Sequence, residues 1–146
     1  MIAHLLAAEL AAVADTLAVG NAELAKLNRY NAQTGAKRHT PALVIQAEPV
    51  RLYGGGRRGI VRVSLTVESV AGDDGKPAPD NHASRFALVH HLFVTEKTAR
   101  IAEVANRGKV TIDDLGQVPG KLDAGTDSTG DKLRSVLVLM VAARAV

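Results

Sequence analysis

The stretch Val61-Arg62-Val63-Ser64-Leu65-Thr66-Val67-Glu68 alternates apolar and polar residues without a break. Side chains of a β-strand point alternately to opposite faces, so this period of two predicts a strand with a core face and a solvent face. The preceding Gly54-Gly55-Gly56-Arg57-Arg58-Gly59 predicts a turn whose glycines supply positive φ angles. Residues 43–53, with Pro49 at an edge or a bend, predict its partner strand. Together, residues 43–70 predict an antiparallel hairpin.

The N-terminal segment has the apolar spacing of one face of an α-helix. The residues on this stripe are Ile2, Leu5, Leu6, Leu10, Val13 and Leu17. His4, Glu9 and Asp15 lie off the stripe. Gly20-Asn21 predicts the end of the helix. We expect a short helical turn around Ala22–Leu27, followed by a loop to residue 40.

A second helix is predicted downstream, with Asn81 or Ser84 as its N-cap. Phe86, Leu88, Val89, Leu92 and Phe93 form its apolar face. The helix continues or restarts at Thr95, with Ile101 and Val104 facing the core, and Asn106-Arg107-Gly108 ends it. A strand at Phe86–Val94 is the alternative interpretation, since Leu, Val and Phe suit both structures.

The C-terminal part predicts a short strand at Val110–Ile112, a loop over Asp113–Asp131 and a strand at Leu133–Ala145. Residues Val136–Val141 are apolar on both faces, so we expect this strand to be covered twice, by helices and by something else. The predicted order is α-β-β-α-(β)-β in a single domain of residues 1–146. This is an α+β fold in which two helices pack on an antiparallel sheet of about four strands.

Composition narrows the functional classes. The chain has 146 residues, of which 47% are apolar, and its net charge is +3. It has no cysteine, which excludes disulfides and thiolate chemistry. Its aromatic residues are too few for a stacking platform that binds single-stranded nucleic acid. Residues 1–19 lack a basic start and contain Glu9 and Asp15, so we expect no signal peptide and intracellular synthesis.

The sequence contains no complete motif for catalysis, for a metal or for a nucleotide. Gly54–Gly59 lacks the Lys-Ser/Thr of a phosphate loop and leads into a strand instead of a helix. His90 and His91 are adjacent, so on a helix they point about 100° apart and do not share an ion easily. The Asp residues of 113–131 lack the spacing of a Ca²⁺ loop, and no serine has a nucleophile-elbow motif around it. We therefore predict no catalytic residue, no metal and no cofactor.

Two groups of residues are candidates for contact with partners. Arg51, Arg57, Arg58 and Arg62 have no acidic residue among them. They could meet phosphates, or carboxylates of a neighbouring subunit, or form a plain solvated turn. The second group lies on the last strand and consists of Val136, Val138 and Met140. These side chains are predicted to face a subunit or the DNA.

The chain resembles the phage tail terminators, ring proteins that cap a completed tail tube. The resemblance is carried by the N-terminal helix, Thr40-Pro41-Ala42-Leu43-Val44-Ile45, Gly59-Ile60-Val61-Arg62-Val63-Ser64-Leu65-Thr66-Val67, a helix at His82–Val94 and a final strand Arg134–Ala143. The Gly- and Asp-rich loop 113–131 is longer than the family pattern. Other phage neck and tail-completion proteins have similar layouts.

The resemblance implies a homohexameric ring at the head-proximal end of a phage tail. Such a ring ends tube polymerisation, joins the tail to the head connector and leaves a channel for DNA. Its expected partners are copies of itself, the tail tube protein and the connector, with no membrane. We expect a virion protein assembled in the host cytoplasm. The alternatives are another neck or connector protein, a small nucleic-acid-binding module that uses the four arginines, and, last, an α+β enzyme whose site forms between subunits.

Overall fold

The computed structural model of the protein describes residues 1–32, 39–70, 78–118, 123–126 and 132–146. The helices of this part are α1 (Ile2–Val19), α2 (Ala22–Ala25), α3 (Ala78–His90) and α4 (Lys97–Asn106), with a π-helical segment at His91–Thr95 between the last two. The strands are β1 (Asn28–Asn31), β2 (Ala42–Tyr53), β3 (Arg58–Val70), β4 (Val110–Gln117), β5 (Asp123–Thr126) and β6 (Lys132–Ala145). The predicted α+β class is confirmed, although the sheet has more strands than the four expected.

The six strands form one sheet. Five of them follow the order β1-β2-β3-β6-β4, and β5 pairs with β6 off this path. β1 runs parallel to β2, and all the other pairs are antiparallel. β3 occupies one side of β6, so β4 and β5 share the other side, where they pair with residues 139–145 and 133–136. β6 therefore lies inside the sheet, with strands on both sides.

The β2–β3 hairpin is confirmed. Gly54, Gly55 and Gly56 all have positive φ, between 55° and 86°. The pairing register shifts between Pro49 and Arg51, and β1 extends along β2 only as far as Ile45. Pro49 therefore lies both at an edge and at a bulge, where its missing N–H is tolerated.

The prediction of a loop after Leu27 is wrong at β1. The sequence Asn-Arg-Tyr-Asn has no alternating pattern, and tertiary contacts hold it in place. The Asn28 N–H donates to the Pro41 carbonyl at 2.8 Å, which starts the pairing with β2. Arg29 Nε donates to Asp15 at 2.8 Å, and Arg29 Nη1 donates to the carbonyls of Leu24 and Leu27. These bonds tie β1 to α1 and to the end of α2.

α1 lies across the sheet and supplies much of the core. Its predicted stripe is buried at Ile2, Leu6, Leu10 and Val13, whereas Leu5 lies at the exposed margin. The helix is long and apolar enough to cross a membrane, with a mean hydropathy of 1.7, but half of it is buried in the fold. A core helix passes the same test of length and composition.

His4, Glu9 and Asp15 all lie off the stripe of α1, but of these three only Glu9 is buried. Arg107, just after α4, donates to both of its carboxylate oxygens, from Nε at 3.2 Å and from Nη2 at 3.3 Å. The pair joins α1 to the end of α4 across 98 residues of sequence. A buried carboxylate needs such a partner, and the helical pattern of α1 does not identify it.

The second helical region begins earlier than predicted, at Ala78, so Asn81 and Ser84 lie inside α3 and neither is its N-cap. The strand alternative for Phe86–Val94 is wrong. Val89 and Phe93 are fully buried in the core, and Val104 of α4 is buried with them. The predicted end near Asn106–Gly108 is confirmed.

The prediction of a loop over 113–131 is wrong in part. β4 continues to Gln117 through a register shift between Ile112 and Asp114, and β5 pairs with β6 further along. The bulge hides the alternation of β4, and the Gly content hides β5. Residues 119–122 and 127–131 of the predicted loop lie outside the described residues.

The prediction of a solvent face along β3 is confirmed at Arg62 and wrong at Thr66 and Glu68, which are buried. β3 is a central strand, and each of its side chains is flanked from both sides. Thr66 lies between Val44 and Val136 in the register. One half of this face is therefore buried, whereas Arg62 and its neighbours are open.

Candidate interaction surface

The sheet has two unlike faces. The core face carries Val61, Val63, Leu65 and Val67 of β3, and the buried side chains of α1 and of the α3–α4 region cluster with them. The alternation of β6 sends Leu137, Leu139 and Val141 to this same face, where they are buried. In the described part of the chain, no helix of the core cluster contributes to the opposite face, which we call the open face.

The centre of the open face is apolar. Cross-strand neighbours share a face, and the register pairs Arg62 with Met140, Ser64 with Val138 and Ile60 with Ala142. Val138, Met140 and Ala142 are half-buried, and Ile60 is exposed. Val136 is on this face as well, but it is buried beside Thr66. The prediction of an interface thus remains for Val138 and Met140, whereas Val136 is not accessible to a partner.

Three of the four predicted arginines border this apolar centre. Arg51 is opposite Ile60, Arg58 is opposite Tyr53, and Arg62 is on the same face. All three are exposed, and the Arg58 guanidinium carbon lies 5.7 Å from the centre of the Tyr53 ring. Within the described ranges, none of the three forms an ion pair. The structure therefore brings these cations to one face, where Glu48 is the cross-strand neighbour of Arg62.

Arg57 does not belong to this group. It precedes β3 in the turn, where its backbone is helical (φ -82°, ψ -16°), and its carbonyl accepts the Ala145 N–H. It lines a surface groove with Met1, Leu5 and Lys109 on the helix side of the sheet. The structure thus places Arg57 in this groove, apart from the three arginines of the open face.

A buried polar cluster that the sequence did not reveal connects α3 to the sheet. His82 Nδ1 lies 2.9 Å from Ser69 Oγ, and His82 Nε2 lies 2.8 Å from Ser135 Oγ. Arg85 Nη1 donates to Ser69 Oγ at 2.9 Å. A signal for this cluster does exist, because Ser69 and Ser135 are polar residues at core-facing positions of their strands, where a buried hydroxyl needs a partner.

Burial, and then the charge of Arg85, lower the pKa of His82 below its ordinary value of 6.5. The neutral ring supplies one donor and one acceptor, which suits two serine hydroxyls. A Ser–His pair is also the arrangement that activates a nucleophile. Here Ser69, Ser135 and His82 are all buried, so the pair lies out of reach of a substrate and cross-links α3 to β3 and β6.

The two adjacent histidines lie at the junction of α3 and the π-helical segment. His90 is half-buried, and His91 is exposed, with its Nε2 3.6 Å from a Glu96 carboxylate oxygen. Among the residues that the structure describes, no three His, Cys, Asp or Glu side chains are grouped so that they could hold a metal ion. Asp113 instead pairs with Arg144 at 3.3 Å.

No protein-family model matches this sequence, and no curated protein matches it. Any functional assignment therefore rests on the residues, on the fold and on the resemblance in pattern to tail terminators.

Proposed function

We propose that this protein is a structural subunit of a phage tail terminator ring, a virion protein that is assembled in the host cytoplasm and is not an enzyme. Its ring would end tube polymerisation at the head-proximal end of the tail and join the tail to the head connector. The partners would be copies of itself in a hexamer, the tube protein and the connector, with DNA passing through the channel. The observation that carries the proposal is the open face of the sheet.

The open face has the composition of a protein interface. An apolar centre of Val138, Met140 and Ala142 is bordered by the charged side chains of Arg51 and Arg62. Interfaces typically place apolar side chains in the middle and polar ones at the rim. Such a centre gains free energy when a neighbour removes it from water.

Sheet extension is a poorer route to assembly for this chain. The outer edge of β2 carries Pro49 and a bulge, and β4 has its own register shift between Ile112 and Asp114. Bulges and proline at edges oppose pairing with another chain. Contact through the open face is therefore favoured over contact through the strand edges. A ring further requires that this face meets a different surface of the next copy, since only heterologous contacts generate rings.

Analytical ultracentrifugation and native mass spectrometry of the purified full chain test this proposal. We expect a closed oligomer, and Met140→Glu should dissociate it while the circular dichroism of the fold is kept. Val19→Glu is the matched control, because Val19 is 90% exposed and lies at the far end of α1. A strict monomer at all concentrations would refute the proposal. Equal dissociation by the two substitutions would show that the open face is not the interface.

A second candidate function is duplex DNA binding, which the grouping of Arg51, Arg58 and Arg62 on one face favours. Their charges are not neutralised within the described ranges, and phosphates would be suitable partners. Fluorescence anisotropy with duplex DNA should then show a salt-dependent affinity that Arg62→Ala weakens. Arg57→Ala is the control on the opposite face. Affinity without a salt dependence, or equal weakening by both substitutions, would contradict this candidate.

A further inference from the structure

The end of the β2–β3 hairpin has an unusual surface. We define the hairpin tip as residues 50–58. Val50, Leu52 and Tyr53 are exposed by 48%, 36% and 42% of their surfaces. Leu52 and Tyr53 are consecutive register positions and therefore lie on opposite faces, so the tip exposes large apolar side chains on both sides of the hairpin.

The tip also carries positive charge. Arg51, Arg57 and Arg58 are exposed, and none of them forms an ion pair within the described part of the chain. Arg57 lines the groove beside Met1 and Leu5, whereas Arg58 lies over the Tyr53 ring. Arginine and tyrosine dominate the binding energy of protein interfaces, and both residue types are present here.

The backbone of the tip makes hydrogen bonds and close contacts with neighbouring parts of the fold. Its three glycines, Gly54 to Gly56, adopt the positive φ angles that L side chains rarely adopt, and the Arg57 N–H donates to the Gly54 carbonyl at 3.4 Å. At the base of the tip, the Ala145 N–H donates to the Arg57 carbonyl. A Cβ on Gly56 would overlap the Met1 side chain, so the turn lies close against the start of the chain. The tip therefore packs against both the start of the chain and the last strand.

From this combination we infer that the hairpin tip docks onto a separate protein whose surface presents carboxylates around apolar side chains. Duplex DNA would engage the arginines but would leave Val50 and Leu52 in water. A protein surface of opposite charge would use both features. The inference goes beyond self-association, because the tip would serve a monomer as well as a ring subunit.

A second copy of this chain is a poorer occupant for reasons of charge. Most of the exposed carboxylates in the described ranges already have a cation of their own chain. The pairs are Asp15 with Arg29, Glu23 with Lys26, Glu96 with Arg100, and Asp113 with Arg144. Of the three exposed carboxylates without such a pair, Glu48 and Asp114 neighbour the hairpin end of the sheet, and a single carboxylate, Asp80, remains elsewhere. Among the described residues, a second copy thus offers few unpaired carboxylates, which favours a separate protein as the occupant.

The test uses the full chain and three fluorescent probes: a peptide of Glu, Leu and Phe, a peptide of equal charge made of Glu and Ser, and a short DNA duplex. We expect saturable binding of the first peptide and weaker binding of the other two. Leu52→Ser and Arg58→Gln should each weaken that binding roughly fivefold or more, as interface anchors do. Val19→Ser and Arg134→Gln, which change exposed residues elsewhere, should not.

The outcomes are distinct. Failure of the first peptide to bind would overturn the inference, and so would binding that Leu52→Ser leaves unchanged. Tightest binding of DNA would assign the tip to nucleic acid. Sedimentation of the same variants separates this inference from the proposed ring. Leu52→Ser should leave the oligomer intact, and dissociation of the oligomer would show that the tip contacts a second copy instead.

Discussion

Replacing Arg107 with Ala removes the partner of a buried carboxylate. The Glu9 side chain is 4% exposed, whereas Arg107 is 38% exposed. Two hydrogen bonds of 3.2 and 3.3 Å join them. After the substitution, the Glu9 carboxylate would stay buried without its only cation in the described residues.

The magnitude follows from burial. Breaking a fully buried ion pair costs about 3–5 kcal/mol of unfolding free energy. The outer side of this pair is solvated, so we expect about 2–3 kcal/mol for Arg107→Ala. Glu9→Gln should cost less, about 1 kcal/mol, because Arg107 can turn into water while the amide keeps the shape of the buried group. The two single substitutions are therefore unequal, and the double substitution should cost less than their sum.

The pair of Asp15 and Arg29 provides a matched control. Its Nε–Oδ1 distance of 2.8 Å is shorter, but Asp15 is 63% exposed. Asp15→Asn should therefore cost less than about 1 kcal/mol, since water and salt screen exposed pairs. If distance decided the energy instead of burial, the order of Asp15→Asn and Arg107→Ala would be reversed.

Urea unfolding followed by circular dichroism measures all four variants. One protein concentration must be kept throughout, because self-association adds to apparent stability. A cost of Asp15→Asn equal to that of Arg107→Ala would refute the reasoning. A larger loss of unfolding free energy for Glu9→Gln than for Arg107→Ala would refute it as well. Leaving Arg107 without its partner would then cost more than leaving the buried Glu9 without its partner.

Three further predictions concern the cluster of His82, the hairpin and the open face. The folded-state pKa of His82 is lowered, so the unfolded chain binds more protons below pH 6.5. The histidine contribution to stability is thus complete above pH 6.5 and is lost as the pH falls through the folded-state pKa, and His82→Gln should flatten that part of the stability–pH curve. Gly59→Ala should destabilise the protein by about 2–3 kcal/mol in urea unfolding, because the new Cβ would overlap the Arg51 carbonyl oxygen. At Gly55 the space is open but φ is 69°, so Gly55→Ala should lower the unfolding free energy by about 1 kcal/mol. Met140→Glu should change the unfolding free energy of the monomer by about 1 kcal/mol or less while it abolishes the oligomer, and a loss of secondary structure would contradict this.

The periodicity of the sequence predicted the helix and the strand that pack one face against the core. The stripe of α1 and the alternation of β3 each reflect one face against the core, and the structure confirms the core faces of both, although Thr66 and Glu68 on the other face of β3 are buried. The glycine run likewise predicted the hairpin, because positive φ is a local property.

Elements that depend on distant partners were missed. β1 has the sequence of a loop and becomes a strand because Arg29 and the Asn28 N–H find partners elsewhere in the fold. The strand predicted at Val110–Ile112 is present, but its continuation to Gln117 was missed because a bulge near Asp113 interrupts the pattern. No window of sequence contains these contacts, so local pattern could not reveal them.

The candidate surface was predicted by residue type but not by geometry. Arg51, Arg58 and Arg62 gather on the open face, whereas Arg57 lies in the turn before β3 and lines a different groove. Val136 shares a face with Met140 yet is buried, which depends on its flanking strand positions. A register is set by turns and bulges. The shift between Pro49 and Arg51 therefore determines which side chains of β2 and β3 are neighbours near the hairpin end.

The central claim is that this chain works by assembling with itself into a closed ring. Native mass spectrometry of the purified full chain, combined with single-particle images of the same sample, tests it most directly. The account predicts one discrete species, a hexamer with a central opening. A monomer at every concentration, or an open filament of variable length, would contradict it.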